Sequence, residues 1–194
     1  KTIVVFDSLI FSSYVNSIDN NKYLFTCITI ILLIELIIIS VEDIKHNIIP
    51  ERFCKITFAT GVLAIVSGIF YSSWQTTFSK LINHLFASIL AITLMTLIKK
   101  ISDTIFKTNT LGIGDAKLAS IGGIWLGIKG IYIAMTIAFI SASIYSLFMI
   151  IKGYFKKLQA YAFAPFISLG VFFVWIFGEN WWIQKWWHLW EFKL

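Results

Sequence analysis

The chain has 194 residues, of which 58% are hydrophobic, 13% are charged and two are proline. Soluble domains carry roughly 25% charged residues, and the apolar residues here fall in long blocks rather than at helical or strand spacing. A soluble enzyme, a disordered tail and a disulfide-stapled secreted domain are excluded, which leaves an integral membrane protein. The net charge of +6 does not signal nucleic acid. Its cations sit in short loops between apolar blocks, where they orient helices against a membrane, and no basic face of a folded domain is evident. The partner that the composition implies is the lipid bilayer.

In chain order, Thr2–Val15 is apolar but short and carries Asp7, so it reads as a shallow or trimmed first helix. Lys1 in place of a starting Met is read as following a removed segment or a cut in a longer chain, and no cleavable signal peptide is evident. Tyr23–Val41, Phe53–Tyr71, Leu81–Ile98, Ile131–Ile151 and Tyr161–Phe177 each approach the roughly 20 residues that a spanning helix needs. Leu118–Ile128 is short and Gly-rich, as a dipping segment or half of a broken helix would be. These blocks predict an all-α polytopic transmembrane bundle of about 6–7 helices. The tail Trp181–Leu194 holds five of the eight Trp residues. Trp rings favour the headgroup level, so the tail reads as an interfacial helix. Cys27 and Cys54 cannot make a zinc site alone and read as buried, inert thiols.

Alternating the spans sorts the loops. The loops at Glu42–Lys55, Lys99–Lys117 and Lys152–Gln159 together hold ten cations, and the other side holds five: Lys22, Lys80, Lys129, Lys185 and Lys193. That bias makes the first side cytoplasmic.

The acidic residues carry most of the functional information. Asp7, Asp19, Asp103, Glu179 and Glu191 fall in loops, tails or the short first segment, where a solvated charge needs no explanation. Glu35 lies in mid-span, where a carboxylate is costly unless protonated or partnered; a functional role and a helix-packing role both fit. Asp43 ends the first long span in the run Val41-Glu42-Asp43-Ile44-Lys45-His46-Asn47-Ile48-Ile49-Pro50, with His46 a solvated loop residue. Asp115 ends the loop after the third, in Leu111-Gly112-Ile113-Gly114-Asp115-Ala116-Lys117-Leu118. Both spans run toward the same face, so parity places both carboxylates there. Gly112 and Gly114 permit conformations and close approaches that a side chain would block, and Asp115 falls near a helix N-terminus, which favours a negative charge. Two carboxyls sharing a partly dry site titrate as a unit, one protonated and one a base. That equips them to activate water against a peptide carbonyl. Spacing alone favours two unrelated loop acids, one of them capping a helix.

Three segments resemble the type IV prepilin peptidase family of Gly-x-Gly-Asp membrane aspartic proteases. Asp43 with Ile48, Ile49 and Pro50 resembles its first aspartate motif. Gly112-Ile113-Gly114-Asp115-Ala116-Lys117-Leu118, continuing to Gly122-Gly123-Ile124-Trp125-Leu126-Gly127, resembles the second. Ala162-Phe163-Ala164-Pro165-Phe166-Ile167-Ser168-Leu169-Gly170 resembles the Pro-Phe segment that opens the last helix. The resemblance covers roughly 23–178 and implies one membrane-embedded peptidase domain over 1–194, with a Trp-rich interfacial tail at 179–194.

Carried onto this chain, the resemblance implies Asp43 and Asp115 as the catalytic pair. Gly112, Gly114, Lys117 and Pro50 would support the catalytic loop, and Lys117 reads equally as a topology charge. Pro165 and Phe166 would start a helix or touch substrate. The implied substrate is a prepilin or pseudopilin with a short basic leader before an apolar helix, cut at the cytoplasmic edge of a bacterial inner membrane. Hydrolysis would need no metal and no organic cofactor. Glu42 and Glu51 read as plain loop charges or as weak attractors of the leader. Many members carry two Cys-x-x-Cys pairs in a zinc-binding insert and also methylate the product. The insert is absent here, which puts methylation in doubt without touching the protease reading. Oligomeric state is not legible. The alternatives are a preflagellin-type peptidase, a small cation or proton transporter using Glu35, Asp43 and Asp115, and an inactive pilus-assembly scaffold.

Overall fold

A computed structural model describes residues 22–67, 73–107, 112–154 and 161–191. Among these residues the secondary structure is all helical: α1 (Lys22–His46), α2 (Glu51–Ser67), α3 (Trp74–Phe106), α4 (Ile113–Ile151), α5 (Ala164–Phe177) and α6 (Glu179–Glu191). The expected all-α bundle is what the chain forms. The segment Thr2–Val15, with Asp7, and also Asp19, Lys156 and Lys157, lie outside the described residues.

Among the described residues three helices are long and apolar enough to cross a membrane, Phe25–His46, Trp74–Phe106 and Ile113–Ile151, or up to four if the bent pair Ala164–Phe177 and Glu179–Lys185 forms one span. Together with the family described below, they make this a membrane protein. Three of the five expected blocks fall on these long helices, and the other two form shorter helices among the described residues. The block Tyr161–Phe177 yields only the 14-residue α5, because Phe163 is its cap, Pro165 stands in its first turn and Gly178 leaves the helix at φ 76°. From there the chain bends by 93° into α6, so the Trp-rich tail does change direction. Glu179 is a half-buried residue in the first turn of α6, not a solvated tail charge. The block Phe53–Tyr71 falls on α2, which starts earlier, at Glu51, and is described as far as Ser67. The expected loop Lys99–Lys117 is much shorter, since α3 continues to Phe106. Asp103 lies on that helix, bonded by Lys99 Nζ at 2.9 Å one turn away. Of the two thiols, Cys54 is buried but Cys27 is exposed.

Helix α4 is broken, as the Gly-rich segment suggested. Gly127 has φ 71° and ψ −175° inside an otherwise helical run, a left-handed value that glycine adopts without a steric cost. The two halves then run in opposite directions along α5. In the first half Gly122 meets Val171 and the Trp125 ring meets Trp175. In the second half Gly130 meets Val174, Gly170 meets Ala134, and Phe139 meets Phe163. The chain reverses at Gly127.

A reversal in an apolar interior frees backbone groups that must find partners. His84 of α3 reaches the Ile124 carbonyl with Nδ1 at 2.7 Å. A carbonyl only accepts, so the ring carries its hydrogen on Nδ1. The neighbouring Asn83 Oδ1 accepts from the Ile128 N–H at 3.4 Å. Helix α3 thereby holds both ends of the break.

Lipid supplies no hydrophobic drive between helices, so small residues and polar bonds bring them together. A Cβ on Gly123 would lie 2.6 Å from the Ser88 backbone nitrogen of α3, and one on Gly170 would collide with the Ala134 carbonyl oxygen. Ser88 and Ser120 share a bond at 2.6 Å across the α3–α4 contact. A polar belt ties the outer helices in. Thr60 of α2 donates to both Glu35 carboxyl oxygens, at 3.2 and 3.1 Å. Trp125 Nε1 donates to the Thr57 carbonyl at 2.9 Å, and its ring meets Trp175 edge-on at 5.3 Å. Trp175 Nε1 donates to Thr29 Oγ1 of α1 at 3.0 Å. Glu35 is thus a partnered residue of the helix interface.

Replacing Gly170 by Val should push α5 off the second half of α4 and cost at least about 1–3 kcal/mol. A clear fall in detergent melting temperature would show this. Leu169→Val, on a residue 42% exposed, should leave it nearly unchanged.

Candidate functional site

Asp43 sits in the last turn of α1. Its carbonyl accepts from the Asn47 N–H at 2.8 Å, and Asn47 turns left-handed at φ 52°. Asn is one of the few residues that ends a helix in this way. The chain then runs through Ile48 and Ile49 to Pro50, whose carbonyl receives the Cys54 N–H at the head of α2. Pro50 is therefore the entry residue of α2, suited to a fixed φ.

Asp115 sits in the first turn of α4. Its Oδ2 accepts from the Gly112 N–H at 3.0 Å, as a carboxylate three residues into a helix commonly does. The expected N-terminal position is found, and of the two uses expected of the glycines the close approach is seen and the special conformation is not. Gly112 has φ −74°, which any residue adopts, and Gly114 is not among the positive-φ residues. Their role is room. A Cβ on Gly114 would lie 2.9 Å from the Ile49 Cβ, and one on Gly112 would lie 3.2 Å from the Asp115 Oδ2. Gly114 lets the loop after Asp43 pack directly against the start of α4.

The third segment closes the arrangement. The Ala164 N–H donates to Asp43 Oδ2 at 3.0 Å, and the Phe163 amide also bonds this carboxyl. Pro165 stands in the first turn of α5. It fits the helix-start expectation, since its missing N–H is one that the turn would leave unused. The Phe166 ring lies 5.4 Å from Tyr145 and 6.4 Å from Phe163, bracing this entry against α4.

Asp43 and Asp115 are 6% and 7% exposed, and Asp115 lies within electrostatic reach of Asp43 and of Lys99. Neither is held in an ion pair among the described residues. Backbone amides fix both carboxyls. Lys117 points elsewhere: its Nζ bonds Glu51 Oε1 at 3.3 Å. That bond holds the exposed Glu51 carboxyl below the usual carboxylate range. Glu51 also lies 4.0 Å from Lys55, and Glu42 lies 3.7 Å from His46. The residues Glu42, His46 and Glu51 are therefore partnered rather than lone loop charges. Among the described residues no group of His, Cys, Asp and Glu is arranged to hold a metal ion.

Over residues 30–147, more than half of the chain, the sequence matches the type IV leader peptidase family. The chain belongs to that family. Neither curated proteins nor solved structures give a match. Both aspartates of this leader-peptidase-family protein lie inside the matched stretch, and the Pro165 segment lies beyond it. Sequence reasoning missed Thr57, His84, Trp125 and Trp175, whose bonds join elements far apart in the chain. The run of buried Gly and Ala on α4 was the one available sign of such crowding.

Gly114→Val should separate the Ile49 loop from α4 and lower the melting temperature clearly. Lys117→Met removes only an exposed ion pair, so it should shift stability by less than about 1 kcal/mol. That shift should vanish near roughly 1 M salt, where charges are screened beyond about 3 Å.

Proposed function

We propose that this leader-peptidase-family protein is a membrane aspartic endopeptidase that removes the short basic leader of type IV prepilins or pseudopilins. The observation that carries the reading is the burial of Asp43 and Asp115 together at one end of the bundle, on separate helices and bonded by backbone amides alone. Two neighbouring carboxyls avoid double ionisation by sharing a proton. The ionised one takes a proton from water as that oxygen bonds the scissile carbonyl carbon. The protonated one gives its proton to the carbonyl oxygen. Collapse of the tetrahedral adduct then breaks the C–N bond, and the departing amine takes up a proton.

The same end of the bundle carries Lys45, Arg52, Lys55, Lys99, Lys100, Lys107, Lys117 and Lys152, which supports a cytoplasmic orientation in a bacterial inner membrane. A substrate helix would remain in lipid while its leader lies at this aqueous edge. The ion pairs of Glu51 with Lys117 and Lys55 leave it little unpaired negative charge to draw a basic leader. Glu35 has a structural partner in Thr60, which gives a non-transport account of the feature that favoured an ion path.

Asp43→Asn and Asp115→Asn should each reduce leader removal from a purified prepilin by at least about a hundredfold, with both variants still recovered in the membrane fraction. A gel-shift cleavage assay reads this directly. Retained cleavage by either variant would sink the assignment. The mass of the product's N-terminus separates simple cleavage from cleavage with methylation.

A further inference from the structure

The face of α3 that packs on α4 is one stripe of the helix. On it His84 and Ser88 bond Ile124 and Ser120, Ala91 and Met95 are buried beyond them, and Lys99 stands one turn further on. Lysine at an aqueous helix end ordinarily runs its ammonium out to water. The Lys99 side chain is only 19% exposed, whereas Lys100 beside it is exposed. Lys99 Nζ bonds Asp103 Oδ2 at 2.9 Å, and that side chain is 27% exposed. The pair is shorter and more sheltered than those of Glu42 with His46, Glu51 with Lys55 and Glu51 with Lys117.

The register of the two helices brings this cation to the candidate site. α3 runs antiparallel to the first half of α4, with Asn83 bonding Ile128, Ser88 bonding Ser120 and the Ser88 backbone against Gly123. Eight residues on from the Ser88–Ser120 bond, Thr96 comes level with Gly112. Eleven residues on from the Ser88–Gly123 contact, Lys99 does so. The Asp115 carboxyl is fixed at that same level, since its Oδ2 accepts from the Gly112 N–H at 3.0 Å. Asp115 accordingly lies within electrostatic reach of Lys99.

A buried charge is costly unless a partner offsets it. Two carboxyls that share a proton carry one negative charge between them, and Asp43 and Asp115 are both buried. A cation in direct contact would tie up oxygens that must take up and release protons. Held back on Asp103, Lys99 offsets the charge and leaves the oxygens of Asp115 to the reaction. The other charged groups around Asp115 are Asp43 of α1 and Lys117 on its own helix. Lys117 is paired with Glu51 of α2, which also meets Lys55, and both partners act on the buried Cys54 thiol. α5 carries no charged side chain.

We propose that Lys99 is a positioning residue for the aspartate pair: held by Asp103, its ammonium offsets the single negative charge of Asp43 and Asp115 and so sets the pH range in which the pair is singly ionised. This rests on the aspartic-peptidase reading. The proposed leader is itself basic, so Lys99 is not suited to bind it, and its effect belongs to kcat rather than KM.

The test compares the parent chain with Lys99→Met, Lys99→Arg and Asp103→Asn, using prepilin cleavage from acid to alkaline pH. Lys99→Met keeps the reach of the side chain and removes its charge. Its kcat profile should move to higher pH by about 0.5–1 unit, because the carboxyls give up their protons less easily without the cation. KM should stay within about twofold. Asp103→Asn keeps an oxygen for Lys99 and removes the negative charge, so its profile should move to lower pH. Lys99→Arg, which keeps the charge, should keep the parent's profile. An ion pair that only braced α3 would not give opposite shifts from its two members. An unmoved profile in Lys99→Met would overturn this inference alone, as would an Asp103→Asn profile that stays put or moves to higher pH. A Lys99→Arg shift as large as that of Lys99→Met would also overturn it, as the mark of a packing role. A parent that does not cleave, or an Asp43→Asn variant that does, would remove the peptidase reading and this inference with it.

Discussion

The chain reversal at Gly127 is the constraint on which the rest of the bundle depends. It places the first half of α4 at the centre, parallel to α5 and antiparallel to α3, with residues Ile121–Gly127 continuously buried. A break of this kind in an apolar interior exposes a carbonyl and an N–H that lipid cannot satisfy. His84 and Asn83 answer those two groups from adjacent positions on α3. The buried His84 is thereby explained as backbone support, far from the candidate chemistry. Asp115 stands at the other end of the same half-helix, so its placement follows from that of the reversal.

Around this half-helix the packing is governed by what is missing. Gly61, Gly122, Gly123 and Gly170 each face a neighbour so close that a Cβ would collide with it. Such approaches let dispersion contacts and a few polar bonds replace the hydrophobic drive that lipid removes. The same device operates at the site, where Gly114 admits Ile49. The Gly-x-Gly-Asp segment is therefore as much a packing surface as a chemical one. Its second glycine sets the distance between the two aspartate loops, and its first gives the Asp115 carboxyl room and an N–H to bond.

Much of this was legible in the residues. Apolar blocks with few charges announce membrane helices, and Asp43, Asp115 and Pro165 each stand where a polar stretch meets an apolar one. Helix ends were less legible. Lys99, Lys100 and Asp103 look like loop residues by polarity, yet they extend α3, because an aqueous helix end carries charge at little cost and Lys99 pairs with Asp103 one turn on. The reversal was indicated only as a Gly-rich region, since Gly122, Gly123, Gly127 and Gly130 read alike and only Gly127 takes a positive φ. The Thr57–Trp125 and Thr29–Trp175 bonds join residues far apart in sequence, which no local pattern discloses. Spacing also could not say that the glycines beside Asp115 serve proximity rather than turning.

Three separate segments make one site because α5 does work that α1 cannot do for itself. Asp43 lies at the end of a helix whose outer face is widely exposed, so α1 alone would leave its carboxyl loosely directed. The Phe163 and Ala164 amides direct it instead. Those amides are available because Pro165 begins the helix without an N–H of its own and the Phe166 N–H closes on the Phe163 carbonyl at 3.0 Å. The aromatic contacts of Phe163, Phe166, Tyr145 and Tyr161 fix that entry against the second half of α4. The contacts of Gly122 with Val171 and of Gly170 with Ala134 fix the height of α5 against both halves. Once that height is set, the end of α5 that holds Asp43 must come level with the start of α4 that holds Asp115. The meeting of the two carboxyls is thus a consequence of glycine packing seven residues deeper in the bundle, and a change there would be felt at the membrane edge.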